Sequence, residues 1–319
     1  MTPRRPSRPL SRRIGGALLA IYQWPAFYLA LALLGCIQLC WALGAFVLRY
    51  TLSEARGRHI GRLFISIVFR RYFLLTGWLG LLRVDAAELD AIDTHEAMII
   101  AANHPSVIDA LILISRLENL NCIMKASVLD NVLLGAGARL AGYIRNDGPK
   151  RMLRLSAEDL KNGGQLIIFP EGTRTLAAPV NEFKCGFAAM ARIAQVPVQT
   201  VIIETDSPYV SKGWSVLKKP PCLPMTFRAR LGKRFEVDRE VNSFVDDLHG
   251  YFVKELSGAQ LGDLWKTERA QSSHERRIDA RLAPAGLPVR GEPLPLHTSS
   301  IGLEAANAPF HAGVRSLQR

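Results

Sequence analysis

Between Arg13 and Arg49 the chain carries no charged residue, and GGALLAIYQWPAFYLALALLGCIQLCWALGAFVL is apolar almost throughout. The run is far longer than a signal-peptide core and has no evident cleavage site, which predicts a segment that stays in the membrane. The 23 residues from Ala26 to Leu48 suffice to cross a hydrocarbon core of roughly 30 Å. Pro25, after Gln23 and Trp24, interrupts the pattern, so two shorter helices dipping into one leaflet are the alternative. Arg4, Arg5, Arg8, Arg12 and Arg13 precede the run and Arg49, Arg56, Arg58 and Arg62 follow it. With basic residues on both flanks, the positive-inside rule favours a hairpin that enters and leaves on the cytoplasmic side over a single span.

From about residue 50 to 83 arginines mix with aliphatic and aromatic residues at near-helical spacing. This pattern predicts an amphipathic helix on the membrane surface, or alternatively a helix covering the next domain. Short apolar runs then alternate with helical patterns. AMIIAAN (Ala97 to Asn103), NCIMKA (Asn121 to Ala126), QLIIFP (Gln165 to Pro170) and VQTVIIE (Val198 to Glu204) read as strands buried on both faces. Pro105 to Leu117, Val128 to Ala141, Lys150 to Asn162 and Lys184 to Gln195 read as the helices between them. MTFRARLGKRFEV is a further strand pair or an edge strand, and Val241 to Leu256 a closing helix. The fold class is therefore α/β, a mostly parallel sheet flanked by helices, behind an N-terminal membrane helix or helical hairpin. The parts are a basic terminus with the membrane segment (1–50), the amphipathic helix (51–83), the α/β domain (84–257) and a proline-rich, disordered tail (267–319).

Charge sharpens the class. A net charge of +12 with a positive mean hydropathy of +0.11 and a pI near 9.8 suits an anionic membrane surface or acidic substrates. The basic residues are scattered, and no nucleic-acid-binding signature occurs, so no nucleic-acid partner is expected. Five cysteines without a C-x-x-C pair argue against a disulfide framework or a structural zinc site, and no metal is expected.

The first chemistry-bearing stretch is NHPSVIDA, Asn103 to Ala110. Residues five apart on one helix point about 140° from each other. Proline favours the first helical position, so His104 belongs at a strand's end, with Asp109 inside the following helix. Asp109 can then reach back to one imidazole nitrogen and leave the other facing a cleft, the base-and-orienter half of a catalytic triad. No G-x-S-x-G nucleophile elbow occurs, so the attacking hydroxyl would come from a substrate. Ser106 reads as a cap. A satisfied structural histidine is the competing reading of these residues alone.

The second stretch, FPEGTRT (Phe169 to Thr175), ends another buried strand at the edge where α/β proteins bind ligands. Gly172 lets the backbone approach a ligand, Arg174 offers a forked donor to a phosphate, and Glu171 can orient that arginine or a hydroxyl. Lys125, Arg139, Lys150, Arg151 and Arg154 could form a basic rim, or simply solvated helix faces. Leu129 to Gly142 could line a tunnel, or form ordinary core.

Taken together and in this order, the two motifs resemble the glycerolipid acyltransferase family, which includes the 1-acyl-glycerol-3-phosphate and lysophospholipid acyltransferases. NHPSVID resembles its N-H-x-x-x-x-D block and FPEGTR its E-G-T-R block. Phe183, Lys184 and Gly186 resemble its F-K-x-G element, and Val196-Pro197-Val198 its last block. The likeness spans about residues 80 to 235. It implies O-acyl transfer from acyl-CoA or an acyl-carrier protein to a lipid hydroxyl, without a cofactor. His104 and Asp109 would be catalytic, and Glu171, Gly172, Thr173, Arg174 and Arg145 would bind the acceptor. Arg145 lies in GYIRND, a shortened form of the family's intervening block. That shortening resembles a branch from specialised lipid and polyene pathways, so the acceptor need not be lysophosphatidic acid; a thioester hydrolase is a further alternative. The expected location is a bacterial inner membrane, with the catalytic domain on the cytoplasmic side.

Overall fold

In a computed structural model of the protein, residues 10–237 and 240–257 are described, with side chains from Ile21 onward except at Leu134. The tail expected after residue 266 lies outside the described residues.

Helix α1 (Leu10–Thr51) is one unbroken helix that takes Pro25 into its interior. The favoured hairpin is thereby corrected. An interior proline costs roughly 3 kcal/mol, and a helix of 42 residues has enough other bonds to sustain it. Its stretch Ile21–Thr51 is long and apolar enough to cross a membrane, by length and composition. One flank packs on protein: Gln23, Ala26, Phe27 and Ala30, then Trp41, Ala42 and Ala45, are buried at three- to four-residue spacing. Trp41 stacks on Phe64 with ring centroids 3.7 Å apart.

Helix α2 (Glu54–Trp78) covers the domain that follows, as the second of the two readings had it; Gly57, Gly61, Arg62, Ser66 and Thr76 are buried. A Cβ on Gly61 would lie 2.6 Å from the Ala141 nitrogen, so only glycine permits that approach. Arg62 is not a membrane-flanking charge. Its guanidinium donates to Asp159 at 3.0 Å, to the Asn119 side chain at 3.0 Å and to the Ala141 carbonyl at 3.1 Å.

The remaining elements are β1 (Leu82–Asp85), a short 3₁₀ helix (Ala87–Ala91), β2 (Met98–Ala102), α3 (Ile108–Arg116), β3 (Leu120–Lys125), α4 (Ala126–Leu129), α5 (Leu134–Leu140), β4 (Ile144–Asn146), α6 (Pro149–Lys161), β5 (Gln165–Ile168), α7 (Gly186–Ala194), β6 (Val198–Thr205), β7 (Met225–Phe235) and α8 (Val241–Ser257). The strands form one seven-stranded sheet in the order β1-β7-β6-β2-β5-β3-β4. Every pairing is parallel except β6 with β7. β2 is buried along its whole length because both faces are covered. Met98, Ile100 and Ala102 join a core with residues of α1 and α3. Ile99 and Ala101 join another with residues of α6, α7 and α8, as strand alternation requires.

Two expectations change. Within the stretch 225–237, Met225–Phe235 form a single strand inside the sheet, and β1 takes the edge. The helix expected over Val128 to Ala141 splits into α4 and α5, where the Asn131 side chain accepts the Leu133 N–H at 3.0 Å and competes with helical bonding. β1 and β4 are too short for a periodic signal.

Candidate active site

β2 and β5 are adjacent and parallel, with Ala101 opposite Ile168. The chain leaving each therefore emerges on the same edge of the sheet, and two motifs far apart in sequence become neighbours. Their backbones are tied. The His104 N–H donates to Glu171 Oε1 at 2.9 Å, and the Thr175 N–H donates to the His104 carbonyl at 2.7 Å.

His104 follows β2, and α3 begins only at Ile108, so Pro105 lies ahead of the first helical position it was expected to fill. Asp109 sits in the first turn of α3. Its Oδ2 accepts the Ser106 N–H at 2.6 Å and lies 3.2 Å from His104 Nδ1. Ser106 Oγ accepts the Ile108 N–H at 3.2 Å, so the two side chains together satisfy two backbone donors at the helix start. The helix start thus fixes the carboxylate and the carboxylate fixes the ring. Asp109 is fully buried, and among the described residues its Oδ1 has no hydrogen-bond partner. Burial pushes this carboxyl above its ordinary range, while the His104 ring and the Ser106 N–H pull it down. The imidazole lies flat against Phe169, centroids 3.8 Å apart and planes 15° off parallel. Its side chain is 17% exposed, and among the described residues Nε2 has no partner.

Glu171 is buried. Its Oε1 also accepts the Thr175 hydroxyl at 2.8 Å, and its Oε2 accepts the Asn181 N–H at 2.9 Å. It therefore orients His104 and the loop after it, not Arg174. Gly172 has φ +67°, a conformation that favours glycine. Thr173 is half-buried beside it. Arg174 places one terminal nitrogen on the carbonyls of Val210 and Ser211, at 2.8 and 2.9 Å; it braces the β6–β7 connection. Arg145 stands on β4, three strands along from β2, or roughly 14 Å at ordinary strand spacing. Its guanidinium is held between Asp130 and Asp147, the latter at 2.6 Å. The structure thus joins His104, Asp109 and Glu171 directly and sets Gly172, Thr173 and Arg174 beside them. Arg145 is farther along the same edge, and already paired.

Other residues of the site were not foreseen. Phe169 backs the imidazole, and Asn181 completes the seat of Glu171. Asn103 exchanges two 2.7 Å bonds with the Ile203 backbone, donating through Nδ2 and accepting through Oδ1, and so locks the end of β2 to β6. A buried asparagine closing an apolar strand was a usable signal; the role of Phe169 depends on strand pairing and had none. Of the supposed basic rim, Arg139 bonds backbone carbonyls of its own loop, Arg151 pairs with Asp147 at 3.5 Å and Arg154 with Glu158 at 3.7 Å. Leu129, Ala136, Ala138, Leu140 and Ala141 are core residues.

The structure is thus an α/β sheet of this order with a paired His104 and Asp109 at its carboxyl edge. Residues 83–204 match the family model described as Acyltransferase. The chain is 32% identical over 146 residues to a probable 1-acyl-sn-glycerol-3-phosphate acyltransferase of Mycoplasma genitalium, covering 41% of this chain and 53% of that protein. It is 30% identical over 118 residues to one of Mycoplasma pneumoniae, covering 34% and 44%. The chain therefore spans about half the length of the curated relatives it matches. The crystal structure of the 1-acyl-sn-glycerophosphate (LPA) acyltransferase PlsC from Thermotoga maritima shares the fold, with a TM-score of 0.52 at 20% identity, covering 78% of this chain and 100% of that one.

Proposed function

We propose that the protein is an O-acyltransferase that moves a fatty acyl group from an acyl-CoA or acyl-carrier-protein thioester to a hydroxyl of a lysophospholipid such as 1-acyl-glycerol-3-phosphate. The observation that carries this reading is the His104–Asp109 pair, one ring nitrogen held by a buried carboxylate and the other without a partner among the described residues. His104 Nε2 takes the proton of the acceptor hydroxyl as that oxygen adds to the thioester carbonyl. When the tetrahedral adduct collapses, the C–S bond breaks and the imidazolium returns the proton to the departing sulfur, giving an ester and a free thiol. Asp109 fixes the tautomer and stabilises the transient imidazolium. General-base assistance of this kind is worth roughly 100- to 10,000-fold in rate.

The Gly172–Arg174 turn flanks the acceptor with Glu171 as its buried anchor, and Arg145 meets the acceptor phosphate by exchanging it for Asp130. That ion pair is half exposed, so the exchange costs little. The apolar α1 supports a membrane location, on the cytoplasmic face of a bacterial inner membrane. The named relatives support the lysophosphatidate acceptor; the shortened block around Arg145 supports a specialised-lipid acceptor as the second reading. The test is incubation with radiolabelled acyl-CoA, with and without lysolipid. Labelled diacyl lipid made only with acceptor supports transfer; free acid made at the same rate in either case means hydrolysis.

A further inference from the structure

The connection from β6 to β7 carries WSVLKK, Trp214 to Lys219, an apolar tip between lysines. Val216 is 53% and Leu217 72% exposed, yet the carbonyls of both are satisfied from beneath. The Tyr209 hydroxyl donates to the Val216 carbonyl at 2.8 Å, and the Tyr28 hydroxyl of α1 donates to the Leu217 carbonyl at 3.2 Å. A loop tip with apolar side chains outward and its carbonyls paired inward is suited to a water-poor environment, where unpaired carbonyls are costly.

Charge and continuity point to the same surroundings. Lys212 and Lys218 are exposed, and the Lys219 ammonium sits 3.6 Å from the centre of the Trp24 ring. Trp24 and Tyr28 are themselves exposed on α1, so aromatic rings, lysines and aliphatic tips form one band that continues the apolar helix. Bands of this composition sit at membrane interfaces, and each lysine beside an anionic bilayer adds about five-fold to binding. The loop is also rooted in the active site. The Ser106 hydroxyl donates to the Tyr209 carbonyl at 3.1 Å, and Arg174 holds the carbonyls of Val210 and Ser211.

We propose that Lys212 to Lys219 is a second membrane-contacting element, which lays Val216 and Leu217 into an anionic lipid surface while its lysines engage the headgroups. It holds the His104 edge of the sheet against the bilayer, where α1 alone supplies one line of attachment. The inference concerns binding and stands apart from the acyl-transfer chemistry.

The test is hydrogen exchange of the full chain in nanodiscs of phosphatidylglycerol and of phosphatidylcholine, followed by mass spectrometry of the peptide covering residues 212–219. Exchange at least ten-fold slower in phosphatidylglycerol is expected, and the Lys212→Gln, Lys218→Gln double variant loses that difference. Equal exchange in the two lipids overturns the proposal, as does a difference that survives in the double variant. Protection in detergent by an added acidic carrier protein, with no protection in either disc, would assign the band to a protein partner and also overturn it.

Discussion

The backbone N–H of His104 donates to Glu171 Oε1 across 2.9 Å, so the proposed base and the acidic residue of the second motif are one hydrogen-bonded unit. Three donors converge on this buried carboxylate, and removing it strands the His104 and Asn181 N–H groups. Glu171→Ala should therefore cost about 2–5 kcal/mol of stability and lower the transfer rate further than the loss of folded protein explains. Thr175→Val deletes a single donor and should cost about 1 kcal/mol. Thermal unfolding in detergent, alongside rates normalised to folded protein, checks both values.

Asp109 lets stability and activity be separated. Its carboxyl is raised in the fold, chiefly by burial, from an ordinary value of 3.8. A raised carboxyl is favoured protonated, so its penalty on the fold is absent below the unfolded value and grows as pH climbs through the folded one. Asp109→Asn removes that titration and keeps an oxygen for the Ser106 N–H. Relative to wild type, the variant's melting temperature should rise between pH 4 and pH 8, while transfer falls roughly 100- to 10,000-fold. A melting difference independent of pH would mean the carboxyl does not titrate as argued.

Most of the α/β core was legible because β2, β5 and β6 are apolar runs bounded by turn residues, a signal set by burial on both faces. His104 and Asp109 were legible through spacing and the adjacent proline. What stayed hidden depends on tertiary pairing. Arg62 looks like a membrane-flanking cation until Asp159 and Asn119 are brought around it. Arg174 and Glu171 look like ligand-binding groups, yet both bond mainly to the protein's own loops. α1 remains one helix despite Pro25, since a long helix tolerates a single lost bond.

Arg62 supplies a test of that hidden packing. Its side chain and that of Asp159 are both largely buried, 3.0 Å apart. Breaking a buried pair by removing one partner costs roughly 3–5 kcal/mol, so Arg62→Ala should unfold at a markedly lower temperature, and Arg62→Met with Asp159→Leu should recover much of the loss. A stability change below about 1 kcal/mol, the range of exposed pairs, would contradict the burial.

Arg145 separates acceptor binding from chemistry. Arg145→Ala should raise KM for a phosphorylated lysolipid about ten-fold with kcat nearly unchanged, the pattern of lost uniform binding. A neutral monoacyl acceptor should be unaffected. Comparing the two acceptors at saturating acyl-CoA measures this directly.

The most direct measurement is the acceptor-dependent transfer rate of His104→Ala, with melting temperature as the control for folding. A base that removes the acceptor's proton predicts a fall of at least 100-fold, with the melting temperature near that of wild type. A folded His104→Ala protein that still esterifies lysolipid within ten-fold of the wild-type rate would contradict the account.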